Sequence, residues 1–235
     1  MASGPTEFDL LQPPAVGSGK LPRLVVEGVF AFPPNRNTMG GTAYLVVEPT
    51  GNILVDCPAW DETNVAFLQE QGGVRWLLLT HRAAHAHVRE WNNALHCEIL
   101  IQEQEAYLLP GIPVTPFSDE FQISSTSCAL WTPGYSPGSS CLYHALQGGL
   151  LFTGRHLLPN QAGDPVPLRV SKTFHWPRQL RSLERLQREF SSETLQWICP
   201  GANTGFLRGK RAIDQAYERL GQLDVESLRS MQPGL

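Results

Sequence analysis

The stretch "WLLLTHRAAHAHVREW", Trp76 to Trp91, limits what this chain can fold into more than any other part of it. Its first half is an apolar run ending at Thr80, short enough for a strand and too apolar for one with a wet face. "AAHAHVREWNNAL" then reads as a helix and "EILI" as a second strand, so residues 74–101 predict a β-α-β unit. Three histidines, His81, His85 and His87, fall at its strand-to-helix corner, a place where binding and catalytic groups are commonly carried.

The flanks extend this plan. "LVVEGVFAF", "TAYLVVE" and "NILVD" are β-branched and apolar runs, and "EPTGN" supplies turn residues between the last two, which predicts a hairpin over residues 42–56. "DETNVAFLQEQGG" has an acidic cap, a helical apolar face and terminal glycines. From 113 to 153 the short runs "FQIS", "CALWT", "CLYHA" and "LLFT" predict an antiparallel sheet. "WPRQLRSLERLQREF" is a helix, "TLQWICPG" a last strand, and residues 209–231 closing helices. Two strand-rich halves, each with a crossing helix, predict two packed sheets with helices outside.

Residues 1–22, rich in Pro, Gly and Ser, are expected to be an N-terminal arm that is mobile or hugs the surface, leaving residues 23–235 as one domain. The 18 basic and 22 acidic side chains leave a net charge of -4, which speaks against nucleic acid as a partner. No run is long enough to span a bilayer, and the first residues lack a basic start followed by an apolar stretch, so a cytoplasmic protein is expected. The odd count of cysteines, Cys57, Cys97, Cys128, Cys141 and Cys199, suits reduced core thiols.

The ordered words "NILVDCP", "LLLTH" with its histidines, "TPGYSPGS", "LFTG" and "ICPGANTG", spread over residues 42–205, resemble the metallo-β-lactamase superfamily. The resemblance implies a four-layer αββα sandwich and an α/β (α+β) class. It also implies one or two zinc or iron ions around an activated water, held mostly by imidazoles and carboxylates. A narrower likeness, to a cyanobacterial and plastid branch, rests on "THR" and the displaced histidine.

At the positions where the resemblance places metal ligands, most residues have changed. His81 keeps the first histidine, but Ala83 replaces the second, His85 stands for the aspartate, and Ala86 follows it. His87 lies one residue beyond the cluster's last histidine. Tyr135, Arg155 and Ala202 replace the remaining histidine, aspartate and histidine. A bridging carboxylate lets two divalent cations share a small space; Arg155 would put a permanent positive charge there instead. Asp56 matches an aspartate that, by the same resemblance, orders the metal loop.

Two functions of different class follow. The first is a non-catalytic or metal-free protein that binds an anionic small molecule or a protein partner, its pocket lined by His81, His85, Tyr135, Arg155, His156 and Asn203. The second is a hydrolase of an ester, thioester or amide with one zinc, iron or manganese ion on His81, His85 and His87, which converge only if the corner is irregular. Metal-free acid/base catalysis by His81 or His85, with Tyr135 and Arg155 as stabilisers, is a third option. His156 either faces Arg155 or packs behind it, while His144, His175 and His96 read as ordinary core or surface residues. Arg178, Arg181, Arg185 and Arg188 form a basic helical stripe, a solvated face or a dock for an acidic protein, without interleaved aromatics.

Overall fold

The computed structural model describes residues 11–17 and 20–233. Its first sheet runs in chain order from β1 (Arg23–Val26), β2 (Val29–Ala31), β3 (Tyr44–Val46) and β4 (Ile53–Val55) to β5 (Trp76–Leu79), β6 (Glu98–Gln102) and β7 (Thr115–Phe117). β1 to β4 form an antiparallel meander, and β4 to β7 are parallel. The second sheet contains β8 (Glu120–Gln122), β9 (Ser127–Trp131), β10 (Ser140–His144) and β11 (Leu150–Gly154) as an antiparallel set. β12 (Leu157–Pro159) and β13 (Pro165–Pro167) make a separate hairpin, and β14 (Trp197–Pro200) returns parallel to β11.

Alternation along the strands creates three apolar layers. On β5, Trp76 and Leu78 join Tyr44, Ile53 and Leu100 against Ala129, Leu142 and Phe152 of the second sheet. Leu77 and Leu79 face the other way, toward Phe67 and Leu68 of helix α1 (Glu62–Glu70) and Trp91 of helix α2 (Val88–Leu95). On the far side, Leu130, Leu151 and Ile198 meet Leu183 and Leu186 of helix α3 (Trp176–Glu189) and Leu220 of helix α4 (Ala216–Gly221). Helix α5 (Val225–Arg229) packs on α3. The architecture is the expected four-layer αββα sandwich, and a period of two along a strand is what sends neighbouring residues to different layers.

Two expectations need correction. Residues 115–117 do not belong to the antiparallel sheet: they pair parallel with β6 as the edge of the first sheet. The corner helix starts at Val88 rather than in the alanine-histidine stretch, because His87 takes a left-handed conformation (φ 58°) and residues 81–87 form turns. Of the arm, Ala15 pairs with the backbone of Trp60 and Glu62, and the Trp60 indole donates to the Gln12 carbonyl; residues 1–10, 18 and 19 lie outside the described residues. Among the described residues no helix is long and apolar enough to cross a membrane.

A buried polar network joins the sheets at the end away from the histidine corner. Glu48, following β3, accepts from Thr126 (3.0 Å) and from Ser127, and faces His144 Nδ1 at 3.1 Å; Ser127 Oγ lies 2.8 Å from the same nitrogen. Burial would raise the Glu48 carboxyl, but bonds from Ser127, Ser124 and Thr126 and the His144 charge bring it below its ordinary value. Glu48→Ala strips the acceptor from Ser127 and His144 and should cost about 3 kcal/mol, read as a lowered urea midpoint with unchanged slope, with Glu48→Gln intermediate.

Candidate functional site

The ends of β4, β5, β11 and β14 and the β9–β10 turn meet at one end of the sandwich. Asp56, just past β4, is buried with a left-handed backbone (φ 62°). Its carboxylate accepts from Thr80 N (2.8 Å) and from Thr80 Oγ1 (2.8 and 2.7 Å), tying β4 to β5. Burial pushes the Asp56 carboxyl up to about 7, against the opposing pull of the Thr80 donors and the Arg155 charge. Thr80 O accepts from Ser140 N (2.9 Å), Gly154 O from Gly201 N (2.8 Å), and Gly201 O from Thr42 N (2.8 Å). A Cβ on Gly154 would fall 2.3 Å from Thr80 Oγ1 and one on Gly201 2.5 Å from Gly154 O, so only glycine permits these loops to touch.

His81 is buried, its Nδ1 accepting from Ala83 N (3.1 Å) and its ring edge-on to Tyr135 at 5.4 Å. That bond leaves the neutral ring's proton on Nε2. Burial, reinforced by the charges of Arg155, His85 and Arg82, holds its pKa down to about 3, so His81 stays neutral and is a weak base. Tyr135 is buried beside it, filling the space where the resemblance expects a ligand. His85 is half-buried. His87 points elsewhere: its Nε2 lies 3.1 Å from Asn37 Nδ2 and its Nδ1 3.7 Å from Glu90. The three histidines therefore do not converge, and among the described residues no group of three or more His, Cys, Asp or Glu side chains is placed to hold a metal ion.

Arg155 is half-buried and donates from Nη2 to the carbonyls of Thr38 (3.1 Å) and Met39 (2.8 Å), while its Nε is buried without a partner. It forms no salt bridge with a carboxylate among the described residues, although its charge reaches Asp56 and His81. His156, the next residue, is buried with neither ring nitrogen partnered; burial lowers its pKa to about 4. Its carbonyl accepts from Gln179 of α3 (3.1 Å). Asn203 is exposed at the rim in a left-handed turn, and Ala202 is buried.

The structure adds one group that no sequence pattern marks. Glu105, on the 3-10 turn Glu103–Leu108, is buried and accepts from Gly138 N (3.1 Å). Burial raises its carboxyl, offset by Ser136, Gly138, Arg82 and His85. Its partners come from a distant turn, so no local motif marks it. Of the other histidines, His144 belongs to the Glu48 network, His175 caps α3 by accepting from Arg178 N (3.2 Å), and His96 ends α2 in a left-handed turn. At this end no hydroxyl or thiol bonds a histidine among the described residues, so no nucleophile–base pair is assembled. The residues at the expected ligand positions, Ala83, Tyr135, Arg155 and Ala202, do not fit the metals that the fold's resemblance implies.

No protein-family profile matches the sequence, and no curated protein sequence matches it significantly. Solved structures do match. An archaeal metallo-β-lactamase superfamily protein from Sulfolobus tokodaii superposes with a TM-score of 0.60 at 12% identity, over 88% of this chain and 90% of that one. TTHA1623 in a di-iron-bound form gives 0.59 at 21% identity, over 76% and 92%. The B3 metallo-β-lactamase BLEG-1 gives 0.59 at 16% identity, over 81% and 95%. Such identities establish a shared fold and leave the chemistry to be argued from the residues.

Buried neutral histidines set a pH response. A folded pKa below the ordinary 6.5 means that the unfolded chain binds more protons, so the stability contributed by His81 and His156 is present above about pH 6.5 and is lost as pH falls toward about 4 and 3. For His156 the loss amounts to roughly 3 kcal/mol by about pH 4. His156→Leu, which orphans no protein partner of the ring, should leave the melting temperature near pH 7 almost unchanged and flatten its acid decline.

Proposed function

From a chain that has the metallo-β-lactamase fold and a donor set that does not fit the fold's metals, we propose a metal-free, non-hydrolytic binding protein with an anionic small molecule at the Arg155 centre. The observation that carries this reading is Arg155 itself. Its guanidinium stands where the resemblance places an aspartate, is tethered to the Thr38 and Met39 carbonyls, and bears on His81 and Asp56 with a charge that no carboxylate among the described residues neutralises by contact. A fixed, half-exposed guanidinium favours a carboxylate or phosphate and repels a divalent cation. Four of the five thiols are buried and all are free, which suits a reducing cytoplasmic setting. A second class of partner, an acidic protein, belongs to the arginine face of α3.

The same geometry disfavours the mononuclear alternative. His87 is engaged with Asn37 and Glu90, and His81 Nδ1 with Ala83 N, so the trio would have to rebuild the corner to share one ion. For His81, metal-free acid/base chemistry is disfavoured by its burial and low basicity.

Protein purified without tag or chelator should bind less than about one-tenth equivalent of zinc, iron or manganese after each is added, and should not hydrolyse ester or thioester panels. Phosphate or citrate should raise the melting temperature, an effect lost in Arg155→Gln. Near-stoichiometric metal that disappears in His81→Ala would overturn the reading and reinstate the mononuclear hydrolase.

A further inference from the structure

A shallow open groove of about 420 Å³ runs along α3 and is lined by Arg178, Arg181, Arg185 and Arg188 together with Asp119, Trp131 and Pro133. The leucines of α3 are turned into the core, so the spacing of the four arginines along one helix leaves them on its outer face, spread over about 15 Å. Arg185 is held in place: its Nε reaches Glu189 (2.6 Å), Nη2 reaches Glu120 (2.5 Å) and Nη1 donates to the Trp131 carbonyl (3.2 Å). Arg178, Arg181 and Arg188 make no side-chain hydrogen bond or ion pair with any described residue. By contrast, Arg219 and Arg229, also on the outer helical layer, are in ion pairs with Asp164, Asp214, Glu184 and Glu226.

Three guanidiniums without an ion-pair partner among the described residues, kept in line on a protein of net charge -4, are a local cost in self-repulsion. The sequence stripe itself has no interleaved aromatic, but the fold brings Trp131 from β9 beside it, with its indole tied to the Pro137 carbonyl (2.9 Å). The groove therefore offers an apolar floor next to a row of cations.

We infer that this groove docks an extended acidic segment of a partner protein, its carboxylates on Arg178, Arg181 and Arg188 and an apolar side chain on Trp131 and Pro133. Length decides against a compact anion, which could meet only one end of the row. Side chains on one face of an extended peptide repeat about every 7 Å, so three alternate carboxylates span about 14 Å and match the row. Charge spacing decides against a nucleic acid: Asp119 lines the groove, and a continuously anionic backbone cannot avoid it as alternate carboxylates can. The groove is separate from the Arg155 centre, and neither depends on the other.

The test uses the whole chain and a fluorescein-labelled peptide of about nine residues that alternates Glu with Thr and carries one Phe, with a Gln-for-Glu control, followed by anisotropy at about 20 mM and 150 mM salt. Binding to the Glu peptide is expected, weakened at least about tenfold by Arg181→Glu with Arg188→Glu and by the milder Arg178→Gln, Arg181→Gln, Arg188→Gln set. It should also quench Trp131, read against Trp131→Phe, and should survive Arg155→Gln. Equal binding of the Gln peptide, binding indifferent to the arginine substitutions in variants with unchanged circular dichroism, or no binding to the Glu peptide would each overturn the inference. Arginine-dependent binding of a single-stranded oligonucleotide in place of the peptide would overturn it as well.

Discussion

Everything at the histidine corner hangs on the bond between Asp56 and Thr80. A buried carboxyl group that accepts from both donors of one residue, its N–H and its hydroxyl, fixes the ends of two neighbouring parallel strands relative to each other. Thr80 in turn presents its carbonyl to Ser140 at the start of β10 and its hydroxyl to the bare face of Gly154. One polar contact thus registers the first sheet on the second. It does so where no side chain of ordinary size could stand in for the glycines, and a lone buried carboxylate is tolerated because its oxygens are supplied with donors.

The resemblance leads one to expect loops stitched together by metal ions. In this chain the same loops are stitched by the chain itself. Arg155 ties the end of β11 to the Thr38–Met39 turn, Tyr135 packs the β9–β10 turn against His81, and Gly201 bonds both Gly154 and Thr42. A guanidinium bridging two carbonyls does mechanically what a shared cation does, with the difference that its charge is permanent and its reach is fixed by a covalent stem. The scaffold words of the sequence encode strand ends and glycine contacts, and these are present whatever the expected ligand positions hold.

That distinction explains how much could be read beforehand. The runs around β5, β6, β10 and β11 carry their burial in their composition, so the layers and the αββα plan were legible. Asp56 was marked only by the family resemblance, which implies an aspartate at the end of that strand. The corner was not: "AAHAHV" has helix-forming alanines, and only tertiary contacts that place His87 in a left-handed turn against Asn37 delay the helix to Val88. β7 was misplaced because three residues with a central proline say nothing about which sheet they join.

Groups whose partners are far apart in sequence were the ones missed. Glu105 meets Gly138 across thirty-three residues, and Glu48 meets Ser127 across seventy-nine, so neither leaves a local pattern. The Ser127–His144–Glu48 set also shows why proximity of residue types is not chemistry. Serine and glutamate crowd the same imidazole nitrogen, Nδ1, so no proton could be relayed from one to the other through the ring. What it does is hold two sheets together at the end remote from Asp56. The sandwich is thus fastened by a polar cluster at each end with apolar layers between them, while α3 adds its own polar ties to the second sheet and its loops through Arg185, Ser182 and Gln179.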